Sequence, residues 1–264
     1  MPAPDTINTA QLIRLIGTAD APAIIDVRSD AERAADGRFL PGSLSLDHLR
    51  AAELADAYRD RNAAIVCRDG GALSQGTAAW LRQSGVRAEY LDGGFDAWSA
   101  AGGLLVRPDR LPPRDEAGRT VWVTRSRPKI DRIACPWLIR RFIDPRAVFL
   151  FVSLSEVPAV AEAFKATPFD LDTVFWGHRG EFCTFDVMLR EFGLSSPALD
   201  RLAVIVRGAD TARLDLAPEA AGLLAASLGL SRIYRDDTAQ LDAAMTLYDA
   251  FYRWARDAST ETHI

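Results

Sequence analysis

Apolar and polar positions follow two different periods along this chain, and the switches between them predict its elements. In the first hundred residues, apolar-rich runs at 23–27, 63–67 and 87–91 read as strands. Segments with helical spacing separate them, at 11–17 with Thr9 as N-cap, 49–58, 74–83 and 94–101. Strands alternating with helices predict an α/β domain: a parallel sheet flanked by helices, joined by right-handed crossovers. Residues 102–119 hold three Gly and three Pro and no sustained apolar period, the composition of a linker.

The second half opens on a strand-like run at 120–124. A helix over 130–143 follows, with Ile133, Trp137, Leu138 and Phe142 on one face and Pro145 beyond its end. A strand is expected at 147–152, a helix at 157–166 and a third strand at 174–176. From 183 to 256 the spacing is helical, with breaks at Gly193, Gly208, Pro218 and Gly229. The expected organisation is a first domain over 1–102, a linker over 103–119, and a mostly helical α+β domain over 120–264.

Composition narrows the function. A length of 264 residues allows one large domain or two ordinary ones. A net charge of -5 argues against bulk nucleic-acid affinity, so DNA is not an expected partner, although a local basic patch can still hold an anion. Met1-Pro2-Ala3-Pro4-Asp5 carries no basic region leading into an apolar run, and no stretch approaches the roughly 18 apolar residues of a membrane span. A cytoplasmic protein with no membrane partner is expected. The cysteines are Cys67, Cys135 and Cys183, an odd count that argues for reduced thiols rather than a disulfide framework.

The densest chemistry lies in Ile65-Val66-Cys67-Arg68-Asp69-Gly70-Gly71-Ala72-Leu73-Ser74. A buried strand ends in Cys, a glycine-bearing loop follows, and a helix begins. This layout is expected to ring the sulfur with backbone N–H groups, since Gly70 and Gly71 tolerate positive φ. Lowering a free thiol from about 8.5 to about 6.5 needs roughly 2.7 kcal/mol of anion stabilisation. A helix dipole supplies about 0.3–1 kcal/mol and at most about 2. The loop N–H groups, with help from Arg68, are left to provide the rest.

The surroundings of this loop resemble the rhodanese family. The matching residues are Ile24-Ile25-Asp26-Val27-Arg28 with Glu32 after it, Phe39-Leu40-Pro41-Gly42-Ser43, and Leu91-Asp92-Gly93-Gly94-Phe95-Asp96-Ala97-Trp98. The resemblance implies that Cys67 accepts a sulfane sulfur as a persulfide and hands it to a thiophilic acceptor, with Arg68 as its catalytic companion. It also implies a substrate cradle of Asp69, Gly70, Gly71, Ala72, Leu73 and Arg28, a small sulfur donor as partner, and no cofactor for sulfur transfer. The loop is about one residue longer than the family's usual one, and Ala72-Leu73 stand where a cation is expected. Related phosphatases and arsenate reductases need an Arg near position 73, which Leu73 does not supply. A sulfurtransferase is expected; an inactive sensor or scaffold stays open.

Two constellations mark the second half. Trp122-Val123-Thr124-Arg125-Ser126-Arg127-Pro128-Lys129-Ile130-Asp131-Arg132 sets several cations between a strand and a helix start, the outline of an anion site. His178, Glu181, Cys183 and Asp186 are metal-ligand types without a recognised zinc spacing. With Asp131 and Asp210, the residues His178, Asp186 and Cys183 are candidates for one divalent-metal pocket. Val123-Thr124-Arg125, the run from Ile130 to Asp144, Gly177-His178, Cys183-Thr184-Phe185-Asp186 and Ile205-Val206-Arg207-Gly208-Ala209-Asp210 look like the C-terminal domain of the ChrB chromate-resistance proteins. That resemblance implies a role near chromate or oxyanion stress, with an oxyanion as a partner. The family's DNA-binding N-terminal region is replaced here, so DNA binding does not carry over. The alternative to sulfur transfer is a non-catalytic oxyanion or metal sensor.

Overall fold

The computed structural model describes residues 5–261; Met1–Pro4, on which the reading of a missing signal segment rests, lie outside the described residues. The chain divides into two units, Met1–Pro108 with Arg141–Ile143, and Asp109–Arg140 with Asp144–Ile264.

The first unit runs β1 (Thr6–Ile7), α1 (Thr9–Leu15), β2 (Ala23–Asp26), α2 (Asp30–Ala35), β3 (Leu44–Ser45), α3 (Ala51–Tyr58), β4 (Asn62–Val66), α4 (Ala72–Gln83), β5 (Arg87–Leu91) and α5 (Gly94–Ala100). Its strands form one parallel sheet in the order β1-β5-β4-β2-β3. All of β2 and all of β4 after Asn62 are buried, as strands covered on both faces must be. The loop after β4 leaves the carboxyl end of the central strand, where open parallel sheets place their ligand sites.

Three elements of this unit were not anticipated. Two-residue strands such as β1 and β3 have no period to read, and α2 is six residues of mostly charged and small side chains. The N-cap of α1 is Asn8, not Thr9; Asn8 and Gln11 form a reciprocal capping box. The stretch read as a linker is hydrogen-bonded at both ends into its own unit. Trp98 Nε1 donates to the Leu104 carbonyl, and Val106 pairs with Phe39. Further on, Asp115 accepts from the Ala117 and Arg119 N–H groups.

The second unit comprises β6 (Val121–Arg125), α6 (Asp131–Leu138), β7 (Val148–Val152), α7 (Val157–Ala163), β8 (Thr167–Pro168), α8 (Thr184–Phe192), α9 (Pro197–Asp210), α10 (Glu219–Ile233) and α11 (Asp237–Arg253). A three-stranded parallel sheet, β7-β6-β8, has α6 and α7 between its strands in sequence and α8 to α11 after them. Trp122 on the central strand is fully buried, edge-on to Phe169 and Trp176. The third strand is Thr167–Pro168, not 174–176: Pro168 has no N–H and suits an edge, and Trp176 contributes an isolated bridge to Phe169. The helix expected over 130–143 is α-helical to Leu138 and π-helical over Ile139–Ile143. Gly208 lies inside α9 rather than at a break, because a Cβ there would meet the Ala220 Cβ at 3.0 Å. Gly229 lies inside α10. Among the described residues, no helix is long and apolar enough to cross a membrane.

Candidate functional site

The loop at Cys67 is built from backbone pressed against backbone. Phe95 and Asp96 donate their N–H groups to the carbonyls of Cys67 and Arg68. A Cβ on Gly94, at φ +59, would lie 2.5 Å from the Cys67 carbonyl oxygen and 2.5 Å from the Gly70 nitrogen. A Cβ on Gly70, at φ +74, would meet the Gly93 nitrogen at 2.7 Å. The Gly93-Gly94 turn is therefore the floor on which the Cys67 loop rests, and only glycine fits there.

The sulfur's own neighbours differ from the expected ring of N–H groups. Cys67 is 3% exposed, and its Sγ lies 3.4 Å from Asp69 Oδ1 and 3.1 Å from Ser74 Oγ. The Gly71 N–H donates to Asp69 Oδ1 at 2.8 Å, so Asp69 takes a donor assigned to the sulfur. This bond, with a smaller part from the Cys67 thiol, holds the Asp69 carboxyl below its usual range. Ala72 and Leu73 are the first residues of α4 rather than loop, and Leu73 packs against the apolar core beside the sheet. Arg68 is turned outward to Asp96 at 3.3 Å. Arg28 is buried and fully engaged: its guanidinium bonds both oxygens of Asp26 and the carbonyls of Asp36 and Arg38, and stacks 3.9 Å over Phe95. Of the expected cradle, Asp69 faces the sulfur and the two glycines form the loop beside it, Ala72 and Leu73 open α4, and Arg28 is engaged by Asp26; Arg68, the expected catalytic companion, pairs with Asp96.

In the second unit, the loop between β6 and α6 contains no glycine, yet Arg127 and Ile130 have φ of 59° and 40°. For a β-branched residue such as Ile130 that conformation costs on the order of 1–3 kcal/mol. Side chains of α11 hold it: Tyr248 Oη donates to the Ile130 carbonyl at 3.0 Å and Gln240 Nε2 to the Pro128 carbonyl at 2.6 Å. Arg127 adds bonds to the Tyr234 and Ser231 carbonyls. This bracing sets Asp131, the first residue of α6, wholly inside the unit.

Around Asp131 gather residues from four segments. His178 Nε2 lies 3.4 Å from Asp131 Oδ2, 3.5 Å from Asp170 Oδ1 and 3.2 Å from Asp210 Oδ2. The Thr184 N–H, at the start of α8, donates to Asp131 Oδ2 at 2.5 Å, and Thr184 Oγ1 to Asp170 Oδ1 at 2.9 Å. Arg132 Nε approaches Asp170 Oδ2 at 3.2 Å. The Asp131 Oδ1 atom is buried and has no hydrogen-bond partner. Burial pushes Asp131 up to about 7, and the carboxylates, Asp131 foremost, push His178 up to about 12. Asp131, Asp170 and His178 each bring one ligand atom to within 4.8 Å of the others. Beside them opens a cavity of about 690 Å³ lined also by Arg125, Lys129, Arg132 and Asp210.

Three of the expected pocket residues, Asp131, His178 and Asp210, thus converge, and Asp170 joins them unforeseen. Asp186 and Cys183 do not join. Cys183 is the buried N-cap of α8 and Asp186 its third residue, whose Oδ2 accepts from the Cys183 N–H at 3.0 Å while Oδ1 pairs with Arg207 at 3.3 Å. The spacing that looked like ligation is a capping box. Glu181 is exposed and outside the group. For Asp170, no local motif gave a signal; its place follows from β8 pairing with β6.

Comparison with known proteins supplies two matches. The ChrB C-terminal domain profile matches residues 122–255 and the rhodanese-like domain profile matches residues 8–101. Protein ChrB of Cupriavidus metallidurans is 37% identical over 151 residues, 57% of this chain and 45% of that protein. The chain therefore spans less than half of that relative's length. A sulfurtransferase of Allochromatium vinosum is 33% identical over 97 residues, 36% of this chain and 88% of that protein. Thiosulfate sulfurtransferase GlpE of Pseudoalteromonas translucida is 35% identical over 97 residues, 36% of this chain and 89% of that protein.

Proposed function

The chain belongs to the ChrB C-terminal domain family and carries a rhodanese-like domain ahead of it, and from that premise we propose that Cys67 carries sulfane sulfur as a persulfide in the service of a chromate or oxyanion response. The observation that supports this most is the seat of Cys67: the carboxyl end of the central strand, on a loop held by the Gly93-Gly94 backbone. A nucleophile there is fixed through its backbone, while its sulfur meets the side chains of Asp69 and Ser74. The donor's outer sulfur bonds to Sγ as its own S–S bond breaks, and a thiophilic acceptor then removes it; no cofactor takes part. The names of the two sulfurtransferase relatives agree with this chemistry.

The test is thiosulfate:cyanide transfer by the full chain. Cys67→Ala is expected to abolish it, whereas Cys135→Ala and Cys183→Ala, which alter buried thiols of the second unit, are expected to retain it. Full activity in Cys67→Ala would remove the assignment.

A second reading is favoured by one observation. Asp69 sets an anionic oxygen 3.4 Å from Sγ, where it accepts from a thiol and repels a thiolate. In that reading the first unit recognises a ligand without turnover, and the chain is a non-catalytic oxyanion or metal sensor in chromate resistance. Absence of transfer in the unaltered chain, with oxyanion or metal binding intact, would select it.

A further inference from the structure

The geometry points to a divalent-cation site in the second unit, formed by Asp131, Asp170 and His178 with Asp210 beside them. Three observations carry it, none involving Cys67.

The first is an unmet acceptor. Asp131 is 0% exposed, and its Oδ1 has no hydrogen-bond partner. A buried carboxylate oxygen left bare is costly, and native proteins retain one chiefly where something absent from the protein chain completes it. The two donors nearest in the fold, the Thr184 N–H and His178 Nε2, both face the other oxygen.

The second is spacing. Bonds of about 2.0–2.2 Å to oxygen and nitrogen imply neighbouring ligand atoms about 3.0 Å apart in an octahedron and about 3.4 Å in a tetrahedron. The distances from His178 Nε2 to the three carboxylates are 3.2, 3.4 and 3.5 Å. One imidazole N–H cannot serve three carboxylates well, whereas one cation at their centre can. Thr184 orients Asp170 and Asp131 through separate bonds, as partners behind metal ligands do.

The third is charge. Three carboxylates meet one guanidinium, that of Arg132, and one imidazole. Arg132 offsets only part of the carboxylate charge, and buried charges of this kind are paired or coordinate a metal ion. The donor set of carboxylates and one imidazole suits manganese, iron or zinc rather than a soft thiolate-bound ion.

The open side of the site faces the cavity. Arg125 and Lys129 line it, and no side-chain hydrogen bond or ion pair holds either among the described residues. An anion completing the ion's coordination would meet them there.

The experiment uses the full chain, treated with chelator, dialysed, and titrated calorimetrically with Mn²⁺ alone, with Zn²⁺ as a second probe. The expected result is about one equivalent bound, with thermal unfolding raised by roughly 5–10 °C at a hundredfold excess over Kd. Asp131→Asn, which keeps the shape and removes the charge, is expected to lose uptake at least tenfold. Should that buried variant fail to fold, His178→Ala, at a half-exposed position, is the second variant and is expected to lose uptake likewise. Asp186→Asn is expected to bind as the unaltered chain does. Uptake below about a tenth of an equivalent for both ions, unchanged uptake in folded His178→Ala, or loss confined to Asp186→Asn would each overturn the site. Because persulfide formation is read separately at Cys67, failure here leaves the sulfur reading standing.

Discussion

Two loops in this molecule occupy the same position and solve opposite problems. Each leaves the central strand of a parallel sheet and enters a helix: Cys67–Gly71 between β4 and α4, and residues 126–130 between β6 and α6. The first is glycine-bearing, packed backbone on backbone, and closed on itself by Asp69, which takes the Gly71 N–H and faces the sulfur. The second has no glycine, is strained at Arg127 and Ile130, and is braced from outside by Tyr248 and Gln240. It ends on a carboxylate oxygen without a partner. In the first loop the polar groups satisfy one another around a single sulfur. The second loop leaves one buried acceptor that no hydrogen bond completes among the described residues.

The largest expected effect breaks the first loop's floor. Gly94→Ala forces a Cβ to 2.5 Å from two backbone atoms at φ +59 and should destabilise the first unit by roughly 3 kcal/mol or more, read by urea denaturation. A loss below about 1 kcal/mol would mean the Gly93-Gly94 turn does not support Cys67.

Next comes the closing carboxylate. Asp69→Asn removes the negative charge beside Sγ and should speed alkylation of Cys67 by iodoacetamide about tenfold. An unchanged or slower rate would show that Asp69 does not restrain the thiol.

The two loops should also answer pH with opposite signs. Asp69 is held below its ordinary range, so its contribution is present above about 4 and is lost as pH falls further. Asp131 is pushed up to about 7, so the folded state binds a proton that the unfolded state has released above about 4. In the ion-free chain, stability of the second unit should therefore fall as pH rises from about 4 to about 7. Asp131→Asn should flatten that fall in thermal unfolding; an undiminished slope would place its origin elsewhere.

The smallest effect is a control on the glycines. Gly76 lies within α4 with nothing within 4 Å of an added Cβ, so Gly76→Ala should stabilise by up to about 1 kcal/mol where Gly94→Ala destabilises.

What could be read in advance follows from how each site is assembled. Cys67, Asp69, Gly70 and Gly71 fall within five consecutive residues, directly after the buried run of β4 and before α4, so local pattern is enough to mark the loop. The fate of Arg28 is not legible: its stacking on Phe95 and its bonds to the Asp36 and Arg38 carbonyls depend on three segments meeting. The short helix α2 did leave a sign, since Ser29 and Glu32 stand at capping-box spacing and form that box. In the second unit, Asp131, His178 and Asp210 stood out as polar residues near element ends. Asp170 did not, because the strand that delivers it, Thr167–Pro168, has two residues and no period. Cys183 and Asp186 misled for the reverse reason: three-residue spacing at a helix start serves a cap as well as a ligand pair.

The most direct test of the sulfur reading is the intact mass of the full chain after exposure to thiosulfate and removal of excess reagent. The unaltered protein and the Cys135→Ala and Cys183→Ala variants should each gain the mass of one sulfur atom, and Cys67→Ala should gain none. No gain in the unaltered chain, or a gain that persists in Cys67→Ala, would contradict sulfur carriage at Cys67.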